Sequence, residues 1–309
     1  MAKKKPMTVE ELSPAAQAVI KDRKYAGQQG FKDLLRLLKE LAFFDAQTDA
    51  LYAAARKRMT AYIVLAVICG FGSIFMIAPA ARLGAPGLGL IGGAAALLIF
   101  FIVMAVVHGK KASALKKIDL ANDFRLSLIP FLDELAEDAD PKARVKISLD
   151  FAGIADNKIV LNRELPPGRF KKVTQTVYRD PWCHLALELE DDNLMVLDIK
   201  NQLIKVHREW RNPRGKSKSK TKYNKMAAVS AALIPGAKDL EWDDAKIQER
   251  ASQDKLKVAA KKGGQVCRLT RKWKFKTVNE EPNVGVAPNE IVGMFMQLYA
   301  MLRPAEQRS

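Results

Sequence analysis

Two uncharged stretches of sequence decide the fold class: AYIVLAVICGFGSIFMIAPA at residues 61–80 and GLGLIGGAAALLIFFIVMAVV at residues 87–107. The hydrocarbon core of a bilayer is about 30 Å thick, and a helix needs roughly 20 apolar residues to cross it. Both stretches have that length, so they predict transmembrane helices over 60–80 and 87–107. The alternative interpretation is two buried helices of a soluble protein.

The segment between the two stretches, ARLGAP at residues 81–86, is too short for a domain, so the helices are expected to be antiparallel neighbours. Basic residues flank both outer ends, whereas the segment itself has Arg82 alone. By the positive-inside rule, 81–86 is then a short non-cytoplasmic turn and both termini are cytoplasmic, in an inner or plasma membrane. The flanking basic residues are Arg56, Lys57, Arg58, Lys110, Lys111, Lys116 and Lys117.

Glycines in the two predicted spans suggest close helix packing. Gly89 and Gly93 have the small-xxx-small spacing that lets helix backbones approach each other, and Gly70 and Gly72 are candidates for the facing contacts. We predict a packing role for Gly70, Gly89 and Gly93, and a homo-oligomer built on this face is a hypothesis. The same run matches GxGxxG, but no strand precedes it and it opens a span of lipid length, so a dinucleotide site is rejected.

The regions next to the spans carry helical periodicity. Apolar residues at three- and four-residue steps predict an amphipathic cytoplasmic helix over 28–59 and a second one over 108–140, which Pro130 would kink. Their stripes are expected to bury each other as a coiled-coil-like stalk. The alternative is that one of them lies flat on the membrane surface. Residues 1–27 are interpreted as a flexible basic N-terminus.

Residues 141–309 predict a β-rich cytoplasmic domain. Apolar residues alternate over short runs, as in an antiparallel meander with one buried face, and helices are expected near 243–262 and 289–303. The predicted fold class is therefore an integral membrane α-helical hairpin plus a cytoplasmic α+β domain, mainly antiparallel β with a C-terminal helix. The boundary signals are turns at Asp191–Asp192 and Asn201–Gln202, a helix cap at Gly263–Gly264 and a helix N-cap at Asn289.

The net charge of +17 is concentrated in two segments. Residues 201–225 hold nine Lys or Arg against one acid, Glu209, and residues 255–276 hold nine with no acid. Asn212 to Gly215 suits a hairpin turn, either as a two-residue loop or with a G1 bulge. In either register the alternating lysines that follow share one face of a strand.

A second lysine row, in RKWKFK at residues 271–276, repeats this alternation, with Trp273 and Phe275 expected to face the core. Two rows of lysines favour an anionic partner, and anionic lipid headgroups are the nearest one for a tethered domain. An acidic protein, nucleic acid or an ordinary solvated face are the alternatives. The candidate anion-binding residues are Lys205, Arg208, Arg211, Arg214, Lys216, Lys218, Lys220, Lys222, Lys272, Lys274 and Lys276.

Nothing in the sequence predicts catalysis. The three cysteines, Cys69, Cys183 and Cys267, have no metal-ligand spacing, and the adjacent Cys183 and His184 would point to opposite faces of a strand. No P-loop, HExxH, GxSxG or kinase motif is present. We therefore predict a membrane-anchored, non-enzymatic binding or scaffolding protein without catalytic residues, metal ligands or cofactors.

Overall fold

The structure, a computed structural model, describes residues 6–82, 85–136, 139, 143–154, 158–236, 240–251, 255–261, 264–277 and 284–304. The chain forms two compact units. The hairpin unit consists of Met1–Leu12 and Ala42–Asp119, and the sheet unit consists of Ser13–Leu41 and Leu120–Ser309.

Most of the helical residues precede most of the strands along the chain. The helices are α1 (Pro14–Asp22), α2 (Phe31–Arg82), α3 (Ala85–Ile118), α4 (Ile129–Leu135), α5 (Asp244–Ala251) and α6 (Pro288–Tyr299), with a 3-10 turn at Val9–Glu11 and a π-helical turn at Phe124–Leu128. The strands are β1 (Lys24–Gly30), β2 (Arg144–Asp150), β3 (Ile159–Glu164), β4 (Lys172–Glu188), β5 (Leu194–Arg211), β6 (Ser217–Ile234), β7 (Leu240–Trp242), β8 (Lys255–Lys261), β9 (Gly264–Thr277) and β10 (Leu302–Pro304).

The hairpin unit contains α3 and the greater part of α2, which are long and apolar enough to cross a membrane. They run antiparallel: the Tyr62 ring stacks on the His108 ring with centroids 5.5 Å apart, and Gly109 faces Met59. None of the residues described in their most apolar windows is buried inside the structure. The prediction of two long apolar helices is thus confirmed. Of the turn predicted at 81–86, residues 83 and 84 lie outside the described part of the chain.

The sheet unit is built on an antiparallel sheet of eight strands in the order β1-β2-β4-β5-β6-β9-β8, with β3 paired to β4. Strands β7 and β10 form a separate pair. Along β6, Val229, Ala231 and Leu233 are buried, and α6 packs on β6 and β9 through an apolar stripe that includes Met294 and Leu298. The predicted antiparallel domain with a C-terminal helix is confirmed.

The N-terminal segment is structured where a flexible end was predicted. Ser13 caps α1 by accepting a hydrogen bond from the Ala16 N–H, and β1 pairs with β2 from Lys24 opposite Asp150 to Gly30 opposite Arg144. The β1 sequence KYAGQQG lacks apolar alternation, so its place at the sheet edge depends on backbone pairing with a strand more than 100 residues away. Residues 1–5 of the predicted flexible end lie outside the described residues.

The continuous helix predicted over 108–140 is interrupted. α3 ends at Ile118, and the chain resumes helical structure only at the π-helical turn and α4 in the sheet unit. There the Phe131 ring stacks on the Phe295 ring of α6, with centroids 6.0 Å apart. The later part of that apolar stripe, with Leu128, Phe131 and Leu132, is therefore part of the core of the sheet unit, whereas Leu115 and Ile118 belong to α3.

At three places the structure differs from the predicted turn or helix end. The helix predicted over 243–262 ends at Ala251, and residues 255–261 form β8, in which Lys261 pairs with Gly264, so Gly264 of the predicted Gly263–Gly264 cap begins β9 instead. Of that pair, residue 263 lies outside the described structure. Asn201–Gln202 is not a turn but lies inside β5, opposite a bulge of β4 between Asp180 and Cys183. The N-cap of α6 is Ala287 rather than Asn289, because Pro288 begins the helix.

Candidate anion-binding face of the sheet

The β5–β6 hairpin has the bulged turn that was one of the two predicted alternatives. The Gly215 N–H donates to the Asn212 carbonyl at 2.9 Å, and the Asn212 N–H donates to the Lys216 carbonyl at 3.0 Å. Gly215 has φ +75, the left-handed conformation that glycine adopts without strain. The Lys216 N–H also donates to Asn212 Oδ1 at 2.8 Å, which secures the turn.

This turn fixes the neighbours of the first lysine row. Lys218 pairs with Trp210, Lys220 with Arg208 and Lys222 with Val206. Paired residues in an antiparallel sheet point to the same side, so these side chains share one face.

The second lysine row lies on the same face. On β9, Lys272 pairs with Ala228, Lys274 with Met226 and Lys276 with Asn224, and these β6 partners alternate in step with the first row. Lys200 of β5 joins them because it also pairs with Ala228. We call the surface formed by this set the basic face: Lys200, Arg208, Lys218, Lys220, Lys222, Lys272, Lys274 and Lys276.

The two rows are staggered along the strands, which limits charge repulsion. Like charges directly opposite each other destabilise a sheet. Within the basic face, Lys220 with Arg208 is the only like-charged pair in direct register, because the other lysines pair with apolar or amide side chains. The sheet therefore carries a dense positive surface in which few like charges lie directly opposite each other.

The remaining predicted residues lie elsewhere. Lys205 pairs with Tyr223, which places it on the opposite face of the hairpin. Arg211 pairs with Ser217 at the last position of β5, and at this strand end its side chain lines the same pocket as Arg208 and Lys220. Arg214 and Lys216 are exposed at its tip. The sequence did not single out Lys200, whose run LMVLDIK is dominated by apolar residues.

Aromatic and aliphatic side chains are interleaved with the cations. Trp210, Val206 and Met226 are half-buried on the basic face, between the lysines. Trp273 and Phe275 point to the other side, in register with Ala227 and Lys225, and are also half-buried. The basic face is thus both cationic and partly apolar.

A pocket of about 460 Å³ lies at the hairpin end of the basic face. The Phe170 and Trp210 rings meet edge to face with centroids 6.1 Å apart. The guanidinium carbon of Arg208 lies 5.2 Å from the Phe170 centroid, and that of Arg169 lies 5.3 Å from it. We call this the Phe170–Trp210 pocket; its lining is Arg169, Phe170, Arg208, Trp210, Arg211, Lys220 and Lys222.

Lys225 is a buried cation that sequence reasoning missed. Its side chain is 1% exposed, and its Nζ lies 2.6 Å from Asp123 Oδ1 and 2.9 Å from the Val284 carbonyl. The sequence did contain a signal for this. Side chains alternate along a strand, so Lys225, with an odd number, points to the face opposite Lys218, Lys220 and Lys222.

Asp180 belongs to a second buried ion pair. Lys158 Nζ lies 2.7 Å from Asp180 Oδ1 and 3.1 Å from Asp150 Oδ2. Burial raises the pKa of Asp180 from 3.8 to about 6, although the hydrogen bond and charge of Lys158 act in the opposite direction. Asp180 therefore titrates in a range where aspartate is ordinarily ionised.

The residues considered for catalysis are separated. Cys183 is buried, and burial raises the pKa of its thiol. His184 is exposed, and its Nδ1 lies 2.8 Å from Asp198 Oδ1. A buried, protonated thiol is a poor nucleophile. The absence of catalytic residues nevertheless stays a prediction.

One group of carboxylates in the hairpin unit could hold a cation. Oxygens of Asp45, Asp49 and Asp119 lie within 4.8 Å of one another, and carboxylate oxygens are ligands that hard divalent cations prefer. Lys116 and Lys117 lie within three residues of Asp119, so positive charge is already present locally. We therefore do not infer a metal site from this cluster.

The glycines that were predicted to pack against a helix have open space beside them. Among the described residues, a Cβ at Gly89 or Gly93 would meet nothing within 4 Å, and one at Gly70 would meet only Leu98 Cδ1 at 3.9 Å. Gly70 is therefore level with Leu98, not with Gly89 or Gly93. A packing role for these glycines would need a second chain, and it stays a prediction.

In comparisons with protein-family models, curated proteins and solved structures, nothing matches this chain.

Proposed function

We propose that the chain is a two-span membrane protein with both termini in the cytoplasm, whose sheet unit docks its basic face onto the anionic lipid headgroups of the same membrane. Its role is that of a membrane-anchored binding or scaffolding protein. The observation that carries the proposal is the basic face itself, on which two strand rows place their lysines together.

Membrane insertion is supported by the surface of the hairpin unit. Phe71 and Phe75 are 62% and 78% exposed, and Ile99 is 62% exposed. A soluble protein would bury side chains of this size, because each contributes about 1.5–3 kcal/mol when it is removed from water. Lipid chains are the environment that fits such a surface.

Lipid docking is supported by charge and by proximity. Each lysine near an anionic leaflet contributes about 1 kcal/mol, within a Debye length of about 8 Å at physiological salt. If half of the basic face reached headgroups, the sum would be several kcal/mol, which suffices to orient a domain that is already tethered. Docking would therefore be weakened by salt and by neutral lipid.

The apolar residues of the basic face support the same partner. Tryptophan is enriched at membrane interfaces, where its ring contacts the acyl boundary and its N–H stays near water. Trp210 and Met226 lie among the lysines in the arrangement that such an interface favours.

A fluorophore on the basic face tests the proposal in the full chain. A fragment beginning at residue 140 is unsuitable because it lacks β1 and Asp123. The probe is an environment-sensitive dye on Asn224→Cys, with Ser219→Cys on the other face of β6 as the matched control, both in a Cys69→Ala background. Cys183 and Cys267 are buried and remain unlabelled.

In nanodiscs that contain phosphatidylserine, the Asn224 dye should report an apolar environment that is lost in phosphatidylcholine or in high salt. The Ser219 dye should not respond. Equal responses from both positions, or no lipid dependence at Asn224, would contradict the proposal.

Single-stranded nucleic acid is the second candidate, on one specific observation. Phe170 and Trp210 are aromatic side chains beside cations, and bases stack on such platforms while phosphates contact lysines. Retention of the full chain on single-stranded RNA with a steep salt dependence, together with no lipid response at Asn224, would favour this function.

A further inference from the structure

The Phe170–Trp210 pocket concentrates positive charge beyond what contact with a flat surface needs. Five of its seven lining residues are cations, and no carboxylate lines it. In the described part of the chain, none of these five makes an ion pair with an acid. A concave site with several uncompensated cations fits a compact, multiply charged anion.

The arginines of the pocket are oriented by aromatic contacts. Arg208 and Arg169 both lie over the Phe170 ring, and Trp210 supports that ring at its edge. A guanidinium held over a ring loses less conformational freedom when it binds an anion. Its planar fork then donates two parallel hydrogen bonds to phosphate oxygens.

The charge of the ligand can be inferred from this arrangement. A phosphodiester carries one negative charge, whereas a phosphomonoester carries about −1.5 to −2 at pH 7 and offers three acceptor oxygens. We propose that the Phe170–Trp210 pocket is a selective site for a phosphomonoester group. The inference rests on the proposed docking, because a phosphorylated lipid headgroup is the source nearest to the basic face.

Two sources can present this chemistry, and the experiment separates them. One is a lipid with a terminal phosphate, for which phosphatidic acid is the probe, and the other is a soluble phosphomonoester, for which inositol trisphosphate is the probe. Phosphatidylserine at matched total charge is the phosphodiester control. All measurements use the full chain in phosphatidylcholine nanodiscs.

The readout is the fluorescence of Trp210, which lines the pocket. Trp210→Phe identifies its part of the signal, since the other three tryptophans remain. The wild-type chain should respond to phosphatidic acid at a concentration at least several-fold lower than to phosphatidylserine. Displacement of that response by inositol trisphosphate would show that the pocket accepts the soluble source as well.

Substitutions in and outside the pocket distinguish this inference from surface docking. Arg169→Gln, which lies outside the basic face, should weaken the response to phosphatidic acid about tenfold, because one charge-assisted contact is lost, and should leave the response to phosphatidylserine nearly unchanged. Arg208→Gln should weaken the response to phosphatidic acid by the same factor, but the response to phosphatidylserine only as much as the loss of any other cation of the basic face does. Arg169 is exposed in a turn, so its replacement spares the fold. The matched control Lys274→Gln, on the basic face outside the pocket, should weaken both lipids alike.

Equal responses of the wild-type chain to the two charge-matched lipids would overturn the pocket assignment and leave surface docking intact. Tighter binding of single-stranded RNA than of either phosphomonoester, with the same sensitivity to Arg208→Gln, would also overturn it. Loss of lipid dependence at the Asn224 dye with a retained inositol trisphosphate response would overturn docking but not the pocket.

Discussion

The Lys225 ammonium lies 2.6 Å from the Asp123 carboxylate, and this ion pair joins the middle of β6 to the start of the π-helical turn. Removal of one partner from a buried pair leaves an uncompensated charge and costs about 3–5 kcal/mol. Lys225→Met should therefore lower the free energy of unfolding by that order. Urea unfolding followed by tryptophan fluorescence checks this, because all four tryptophans lie in the sheet unit.

The control for this prediction removes both charges. The double variant Lys225→Met with Asp123→Leu should be more stable than Lys225→Met alone, because no charge is then left without its partner. A single variant as stable as the wild-type protein would show that the pair does not hold β6 to the turn.

Asp180 should make stability depend on pH. Its pKa in the folded chain, about 6, is above the ordinary 3.8, so the folded state holds the proton more tightly than the unfolded chain does. The free energy of unfolding should then fall as the pH rises from about 4 to about 6, by at most about 3 kcal/mol. Asp180→Asn should lack this fall, while Lys158 keeps its contact with Asp150. If the free energy of unfolding of the wild-type protein and of Asp180→Asn changed with pH in the same way, this prediction would be contradicted.

Gly215 should control the register of the lysine row. Gly215→Ala places a side chain at φ +75 and should cost about 1 kcal/mol in the free energy of unfolding. Gly168, which also has positive φ but lies in a different turn, is the matched site for comparison. Only the change at residue 215 should also weaken the lipid response of a dye at Asn224. A normal lipid response of the Gly215→Ala variant would show that this turn does not control the arrangement of the basic face.

The orientation of the hairpin unit gives a topology prediction. In intact cells, an impermeant thiol reagent should label Arg82→Cys from outside, and it should reach Lys57→Cys only after permeabilisation. The Cys69→Ala background removes the native thiol of the span. Labelling of both positions from the same side would contradict two crossings.

The sequence predicted well where one local rule dominates. An uncharged run of lipid length predicts each apolar helix, and strict alternation after the Asn212–Gly215 turn predicts the lysine row. Whether the two rows share a face could not be predicted, because it depends on the pairing of β6 with β9, for example of Met226 with Lys274. That register is set by packing of the whole sheet.

Other elements were missed because local preference and final structure disagree. The β8 sequence KLKVAAK contains residues with good helix propensity, and only its pairing with β9 makes it a strand. Asn201 and Gln202 resemble a turn but lie opposite the β4 bulge. The Phe170–Trp210 pocket joins residues 40 positions apart, so no short motif could have indicated it.

Photo-crosslinking in native membranes tests the central claim most directly. A benzophenone amino acid at Asn224, on the basic face, should form adducts with phospholipid that mass spectrometry identifies, and the same group at Ser219 should form few. Adducts at Asn224 that consist of protein or RNA instead of lipid, or equal lipid adducts at both positions, would contradict docking of the basic face on the membrane.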